Sequence, residues 1–418
     1  MQTSKTGLAK TAIYVRIALH VVWKYRRHLS PRFLHRAARL LWAFYDNKII
    51  VRDNTYKLHL YLPAYPTPAF FKAVEGKLLA RPPKPISMVW GITKACSYKC
   101  PHCYQRLDKG TDLPATQLLQ TVKAVSKVGV SFLNIEGGDV FLKFDKLCAL
   151  LDATTPDMEV WINTTGAHVT REKLAILQTK NVYGFMVSLH SADAKTHDDF
   201  VGVPGAFEQA QQTLALCSEM GFGTAINTVL QYKDIQNHTL EQIMEIADGL
   251  HCGFVQLIHP KRAGKWLSNT QLYAQDKELI TYVKQAYYRY NKKPHFPALP
   301  AQAEEEDVKR FGCTAGGVDR FYIGASGEVQ PCEFLNISFG NLTQEPFEVI
   351  FKRMRASFPT PFVEWACEKR APQIYAFMQQ HNITQTPVPY EYTRELVAGW
   401  TDGTPTPIYK KIGIYEQN

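Results

Sequence analysis

The chain has 418 residues, 45% of them apolar and 21% charged, with a net charge of +10. That length allows one large domain with one or two smaller ones, and that composition describes an ordinary globular protein. The charge excludes a uniformly basic protein, because nine surplus cations fall within residues 1–45, which contain no acid, and the remainder is nearly neutral.

Residues 8–28 read as a helix, with Arg16, His20, Lys24 and Arg27 on one stripe and Ile13, Ile17 and Val21 nearby. A second helix starts after Ser30-Pro31, an N-cap and first helical position. It sets Phe33, Leu34, Ala37, Leu40, Leu41 and Phe44 against Arg32, Arg36 and Arg39. These apolar stretches are too short and too charged to span a bilayer. Three readings stay open: an interfacial amphipathic arm on an anionic membrane surface, helices that pack on the rest of the chain with solvated arginines, or an acid-poor targeting or nucleic-acid segment.

Residues 48–62 alternate as a hairpin around Asp53-Asn54, and a helix of about ten residues follows. Arg81-Pro82-Pro83-Lys84-Pro85 reads as a linker, since proline denies both helix and ladder bonds. From 86 to about 290 the chain alternates strand and helix. The strands are 86–93, 131–136, 158–163, 182–189, 223–230 and 254–259. Helices such as Pro114–Val128, Ala206–Met220 and Leu240–Leu250 lie between them. Six βα units of this size imply a parallel sheet with helices outside, and functional residues at strand C-terminal ends.

After the first of these strands comes CSYKCPHCY, which places Cys96, Cys100 and Cys103 in a C-x3-C-x2-C pattern. Four thiolates would close a structural zinc or iron–sulfur site; three leave one metal position open. Zinc usually wants paired C-x2-C units or added histidine, and His102 lies inside the loop. Three more cysteines, Cys313, Cys332 and Cys367, lie late, with Cys313 and Cys332 at the base of a hairpin; Cys148, Cys217 and Cys252 read as buried small hydrophobes. Clustered cysteines without an evident secretory signal fit a reducing cytoplasm, with the inner membrane face as the site if the arm binds lipid.

The cysteine loop resembles the radical S-adenosylmethionine (radical SAM) superfamily. That resemblance implies an α/β fold, a partial (β/α)6 TIM-like barrel, with a [4Fe–4S] cluster on Cys96, Cys100 and Cys103. Its fourth iron would bind S-adenosylmethionine, and a reductant such as flavodoxin or ferredoxin would serve it. Glu136-Gly137-Gly138-Asp139 matches the family's GGE motif at the methionyl amino group, with Asp139 in place of Glu. Asn163 falls in the Asn-rich turn near ribose or substrate, and Ser188 at a position contacting ribose or carboxylate. His190 should point to the barrel mouth, to meet substrate or move a proton, or else be a hydrogen-bonded structural histidine. Val201 stands where many relatives carry Arg, so another cation must serve. Cys313, Cys332 and Cys367 resemble the auxiliary-cluster region of the SPASM/twitch group, in its shorter twitch form. They imply a second [4Fe–4S] cluster whose fourth ligand is open, Cys252 for instance.

The expected domains are then an N-terminal helical and hairpin extension (1–80), a linker (81–85), the barrel (86–300), a small α+β auxiliary-cluster domain (301–375) and a polar tail (376–418). The expected function is hydrogen abstraction from a small-molecule or lipid-like substrate. The alternatives are modification of a ribosomally made peptide, and a non-catalytic iron–sulfur or zinc protein binding nucleic acid, which leaves the barrel-end motifs unexplained.

Overall fold

The computed structural model describes residues 2–272, 276–400 and 403–415. Two sheets organise them. In the first, β1 (Thr3–Lys5), β2 (Ile49–Arg52) and β3 (Thr55–Lys57) pair antiparallel in that order. Asp53 and Asn54 turn the hairpin with φ of 45° and 62°, the left-handed conformation that a two-residue hairpin turn requires and Asp and Asn tolerate.

The second sheet is the barrel. Strands β4 (Ser87–Gly91), β5 (Phe132–Glu136), β6 (Glu159–Thr164), β7 (Gly184–Ser188), β8 (Gly223–Val229) and β9 (Phe254–Ile258) run parallel, each beside its predecessor. All six expected strands are present. Their near-continuous burial is that of parallel strands covered on both faces. Helices including Ala115–Val128, Ala206–Glu219 and Thr239–Gly249 cover the outside.

The late hairpin is not a separate sheet. Its strands β10 (Arg320–Ile323) and β11 (Val329–Gln330) extend the barrel, with β10 parallel to β4 in the register Phe321 to Met88 and Tyr322 to Val89.

The basic arm is folded onto the body. Helix α1 (Gly7–Lys24) buries Tyr14, Ile17 and Val21, and α2 (Pro31–Ala43) buries Phe33 and Ala37. Both pack on Phe70 and Val74 of α3 (Pro68–Leu78). Ser30 caps α2 by accepting from the Phe33 amide at 3.1 Å. Beneath the barrel, Ile50, Leu60 and Ala64 plug the strand N-terminal ends against Phe132, Trp161, Met186 and Phe254. Buried Lys57 pairs there with Glu159 at 2.5 Å, whose other oxygen accepts from the Ala64 amide at 2.6 Å. With its bottom plugged, the barrel is left open at the mouth.

Two stretches that read as linker and tail are packed. Pro83 and Pro85 are buried, and the Lys84 amide donates to the Gly76 carbonyl at 3.0 Å. Beyond residue 376 the chain forms helices Tyr390–Val397 and Pro407–Ile412. Thr386 accepts from the Lys109 amide at 2.9 Å, and Tyr409 and Ile412 pack against Val318. Polar composition hid this segment because only a few of its side chains reach the core.

Candidate active site

The cysteine loop and the C-terminal ends of β5 to β9 open into one cavity of about 320 Å³ at the barrel mouth. The cysteine loop enters it from β4. Asp112 pins the entry, accepting from the Thr93 hydroxyl at 2.5 Å and the Lys94 amide at 2.9 Å. The end of β5 lies against the same stretch: the Gly138 amide donates to Thr93 O and the Asp139 amide to Ala95 O, each at 2.7 Å. A Cβ on Gly137 would stand 2.4 Å from Thr93 O, and one on Gly138 2.1 Å from Ala95 O. Only glycine lets the two backbones meet, so the Gly-Gly pair holds the cysteine loop in place.

Cys96, Cys100 and Cys103 are half-buried and line the cavity. Burial, then each other's charge, pushes Cys100 up to about 12. Burial raises Cys103 to about 11 and raises Cys96 as well. Three thiolates here therefore need a bound cation. Among the described residues no three ligand side chains are gathered tightly enough for a single metal ion. A cubane spreads its ligands wider, one thiolate to each iron, and three thiols on one short loop facing a cavity fit that donor set.

Gly137, Gly138, Asn163, Ser188 and His190 also line the cavity. Asp139 does not, although the motif places it among the cofactor-binding residues. Its carboxylate is buried and accepts four bonds: from the Phe141 amide, the Thr164 hydroxyl and the Thr165 amide, each at 3.0 Å, and from the Thr165 hydroxyl at 2.5 Å. It ties the end of β5 to the end of β6. At His190, Nδ1 accepts from the Val229 amide at 3.3 Å, and the ring meets His102 edge-on at 4.7 Å and Phe200 at 5.1 Å. Burial, then His102 and His197, holds its pKa well below the usual histidine range. With Nδ1 accepting from the backbone, Nε2 is the ring nitrogen left to donate a hydrogen bond. Lys94, Arg106 and Lys261 are cations at the cavity wall, with Val201 beside them.

A second cavity, of about 160 Å³, is lined by inward-facing residues of the barrel strands, by Phe44, His59, Tyr61 and Leu62 of the N-terminal extension and by residues between 300 and 334. The two cavities share Tyr104, Glu136, Asn163, Asn227, Ile258 and Phe334 as common walls. Sequence reasoning missed Glu136. The signal was present, because Asn134, Glu136, Asn163 and Gln256 are the polar members of otherwise apolar strands, at inward-facing alternate positions.

Cys313, Cys332 and Cys367 are all buried. The Cys313 backbone pairs with Phe362, both bonds 2.9 Å, and Cys367 opens the helix Ala366–Gln380. Cys367 interacts electrostatically with Cys313, and Cys332 with Cys367. The Cys332 thiol donates to Glu333 at 3.1 Å. Cys252 is elsewhere: it precedes β9, at the closed end of the barrel, where it contacts Cys217 and Thr224.

Comparison with known proteins agrees with this geometry. Residues 90–250, from the first barrel strand past the fifth, match the Radical SAM superfamily profile. The chain is 25% identical over 292 residues to an AdoMet-dependent heme synthase of Nitratidesulfovibrio vulgaris, covering 64% of this chain and 78% of that protein. It is 24% identical over 301 residues to the antilisterial bacteriocin subtilosin biosynthesis protein AlbA of Bacillus subtilis, covering 70% of this chain and 63% of that one. In fold it is similar to Streptococcus suis SuiB bound to precursor peptide SuiA, with a TM-score of 0.51, 17% identity and 64% of each chain covered. A cysteine trio on the first barrel strand's loop, the Gly-Gly end of the second strand against it and the matching profile together make residues 90–250 a radical SAM domain and this chain an enzyme.

Proposed function

We propose that the mouth cavity is where S-adenosylmethionine is cleaved and that the inner chamber holds the group from which hydrogen is taken. The observation that carries this is the shared wall between the cavities. A substrate atom in the chamber would face the mouth past Glu136, Asn163 and Asn227. Cys96, Cys100 and Cys103 would hold the [4Fe–4S] cluster, and Gly137, Gly138, Asn163 and Ser188 would face the sulfonium cofactor. When bound, the pair supplies a 5′-deoxyadenosyl radical that abstracts hydrogen, taking its electron from an external reductant such as flavodoxin or ferredoxin. The chain's own work is to orient both partners and keep water out, with His190 as a fixed donor and Lys94, Arg106 or Lys261 as the cation absent at Val201.

Cys313, Cys332 and Cys367 would hold an auxiliary [4Fe–4S] cluster that accepts an electron from the substrate radical or positions the substrate. Their shared burial and mutual electrostatic contact support this. The heme synthase relatives favour a small-molecule substrate. A ribosomally made peptide is the second reading, favoured by the bacteriocin biosynthesis relative and by the peptide-bound fold neighbour.

The protein would meet the inner face of an anionic membrane through α1 and α2. Leu8, Val15, Leu19 and Trp23 form an exposed stripe on α1, opposite the buried one, and Trp42 of α2 is 67% exposed. Arg26, Arg27, Arg32 and Arg39 are exposed around them, the composition of an interfacial face. No helix of the described residues is long and apolar enough to cross a membrane.

The deciding experiment is anaerobic reconstitution followed by assay for 5′-deoxyadenosine under a strong reductant. Product formation that disappears in Cys96→Ala supports the enzyme. A preparation with a full iron content but no cofactor cleavage refutes it.

A further inference from the structure

On the inward face of the barrel, Asn134, Glu136, Asn163, Asn227 and Gln256 line the inner chamber. Each keeps one buried side-chain oxygen with no hydrogen-bond partner among the described residues. Two of the amide nitrogens are already committed: Asn163 donates to Glu136 Oε2 at 3.0 Å, and Gln256 donates to the Tyr61 hydroxyl. What remains on this wall is mostly acceptors: among the described lining residues Arg320 Nε is the one buried nitrogen without a partner, against these five oxygens. Buried polar atoms are nearly always paired, so five bare oxygens facing one cavity mark a place where donors arrive.

The charges point the same way. Glu136, Glu305, Glu306 and Glu333 line the chamber. Arg320 pairs with Glu306 at 2.5 Å and His59 with Glu305 at 3.0 Å. For Glu136, Oε1 has no partner, and the groups that act on it are Glu333 and Asn163. Burial, then Glu333, pushes its carboxyl up to about 8, and a cation arriving beside it would favour the ionised form.

We propose that the inner chamber binds a cationic hydrogen-bond donor, an alkylammonium or guanidinium group, with Glu136 as its counter-ion and Asn134 and Gln256 as acceptors. An ammonium brings three donors and a guanidinium five, with no acceptor to clash with the bare oxygens. A group bearing carboxylates, as heme does, would bring like charge against Glu136 and Glu333. This inference rests on the reading of the chamber as the substrate site. The same chemistry could come on a free amine or on a basic side chain of a peptide.

The test uses the reconstituted full-length enzyme with S-adenosylmethionine and calorimetric titration of four probes. These are n-butylammonium, N-acetyl-lysine amide, neutral N-acetyl-norleucine amide and anionic N-acetyl-glutamate amide. At least one cation should bind about tenfold or more tightly than norleucine amide, and Glu136→Gln should abolish that preference while norleucine amide binding stays as it was. Preference for butylammonium alone assigns a free amine, and preference for lysine amide alone assigns a peptide side chain. Equal or tighter binding of the neutral or anionic probe, no binding by any probe, or a preference that survives Glu136→Gln overturns the proposal. The probe ratio on the unaltered enzyme decides even if the variant fails to fold. Cofactor cleavage is measured on the same sample: its absence refutes the enzymatic reading, and its presence without cation preference refutes this inference alone.

Discussion

Asp139 and Thr165 stand 2.5 Å apart, carboxylate oxygen to hydroxyl, and the same oxygen also takes the Thr165 amide and the Thr164 hydroxyl at 3.0 Å. The last residue of the Gly-Gly motif thus locks two strand ends together behind the cysteine loop. Asp139→Ala would strand these buried donors at a cost of about 3 kcal/mol or more. Urea denaturation should show that loss, and Asp139→Asn, which keeps an acceptor, should lose clearly less.

The glycines beside it make a sharper demand. In Gly138→Ala the new methyl would overlap Ala95 O, forcing the loop away from β5. The expected result is an enzyme that folds with reduced stability and binds S-adenosylmethionine at least about tenfold more weakly. Equilibrium dialysis against the unaltered protein measures this, and unchanged affinity would mean the loop is not held by this contact.

Glu136 predicts a pH signature. Its folded value of about 8 lies above the ordinary glutamate value of 4.5, so the folded protein binds more protons than the unfolded chain between those values. Its contribution to stability is therefore full below about 4.5 and is lost as pH rises through about 8. Denaturation midpoints over that window should fall less steeply with pH in Glu136→Gln. Cation binding to the chamber should strengthen as pH rises through the same value.

Iron content tests the late cysteines. Two cubanes give about eight irons per chain and one gives about four. Cys332→Ala should bring the count from the first value to the second, read by iron and sulfide analysis. A count of about four in the unaltered protein would mean that the late cysteines hold no cluster.

The membrane reading depends on mostly exposed side chains, Trp42 stacking on Tyr45 at 4.9 Å and Trp23 lying 6.0 Å from His20. Trp23 and Trp42 are 63% and 67% exposed, so Trp23→Asp with Trp42→Asp should leave the fold intact. Co-sedimentation with phosphatidylglycerol vesicles should drop severalfold in the double variant and fall with added salt. Equal sedimentation with phosphatidylcholine vesicles would remove the electrostatic part of this reading.

Much of the fold is legible in the chain. The six barrel strands announce themselves as short buried runs between helices, and the left-handed turn at Asp53-Asn54 is written in its residue types. Cys96, Cys100 and Cys103 stand out because close spacing alone brings three thiols to one loop. The role of Asp139 was not legible: whether a strand-end carboxylate faces a cavity or its neighbours depends on Thr164 and Thr165, which are distant in sequence. The same holds for the tail beyond residue 376, whose buried side chains find partners far earlier in the chain, as the Tyr415 hydroxyl does in accepting from Lys77 at 3.3 Å.

Sequence by itself determined the chemistry on offer: a thiol trio on one short loop, a glycine pair, alternating strands and a cation-rich start. Tertiary structure alone decided where those groups face. It joined two cavities at Glu136, drew the late hairpin into the barrel sheet beside β4, and left an apolar stripe outside on α1. The physical reason is that local propensity and spacing fix which groups share one element, whereas cavities, buried pairs and exposed faces arise only when separate elements pack.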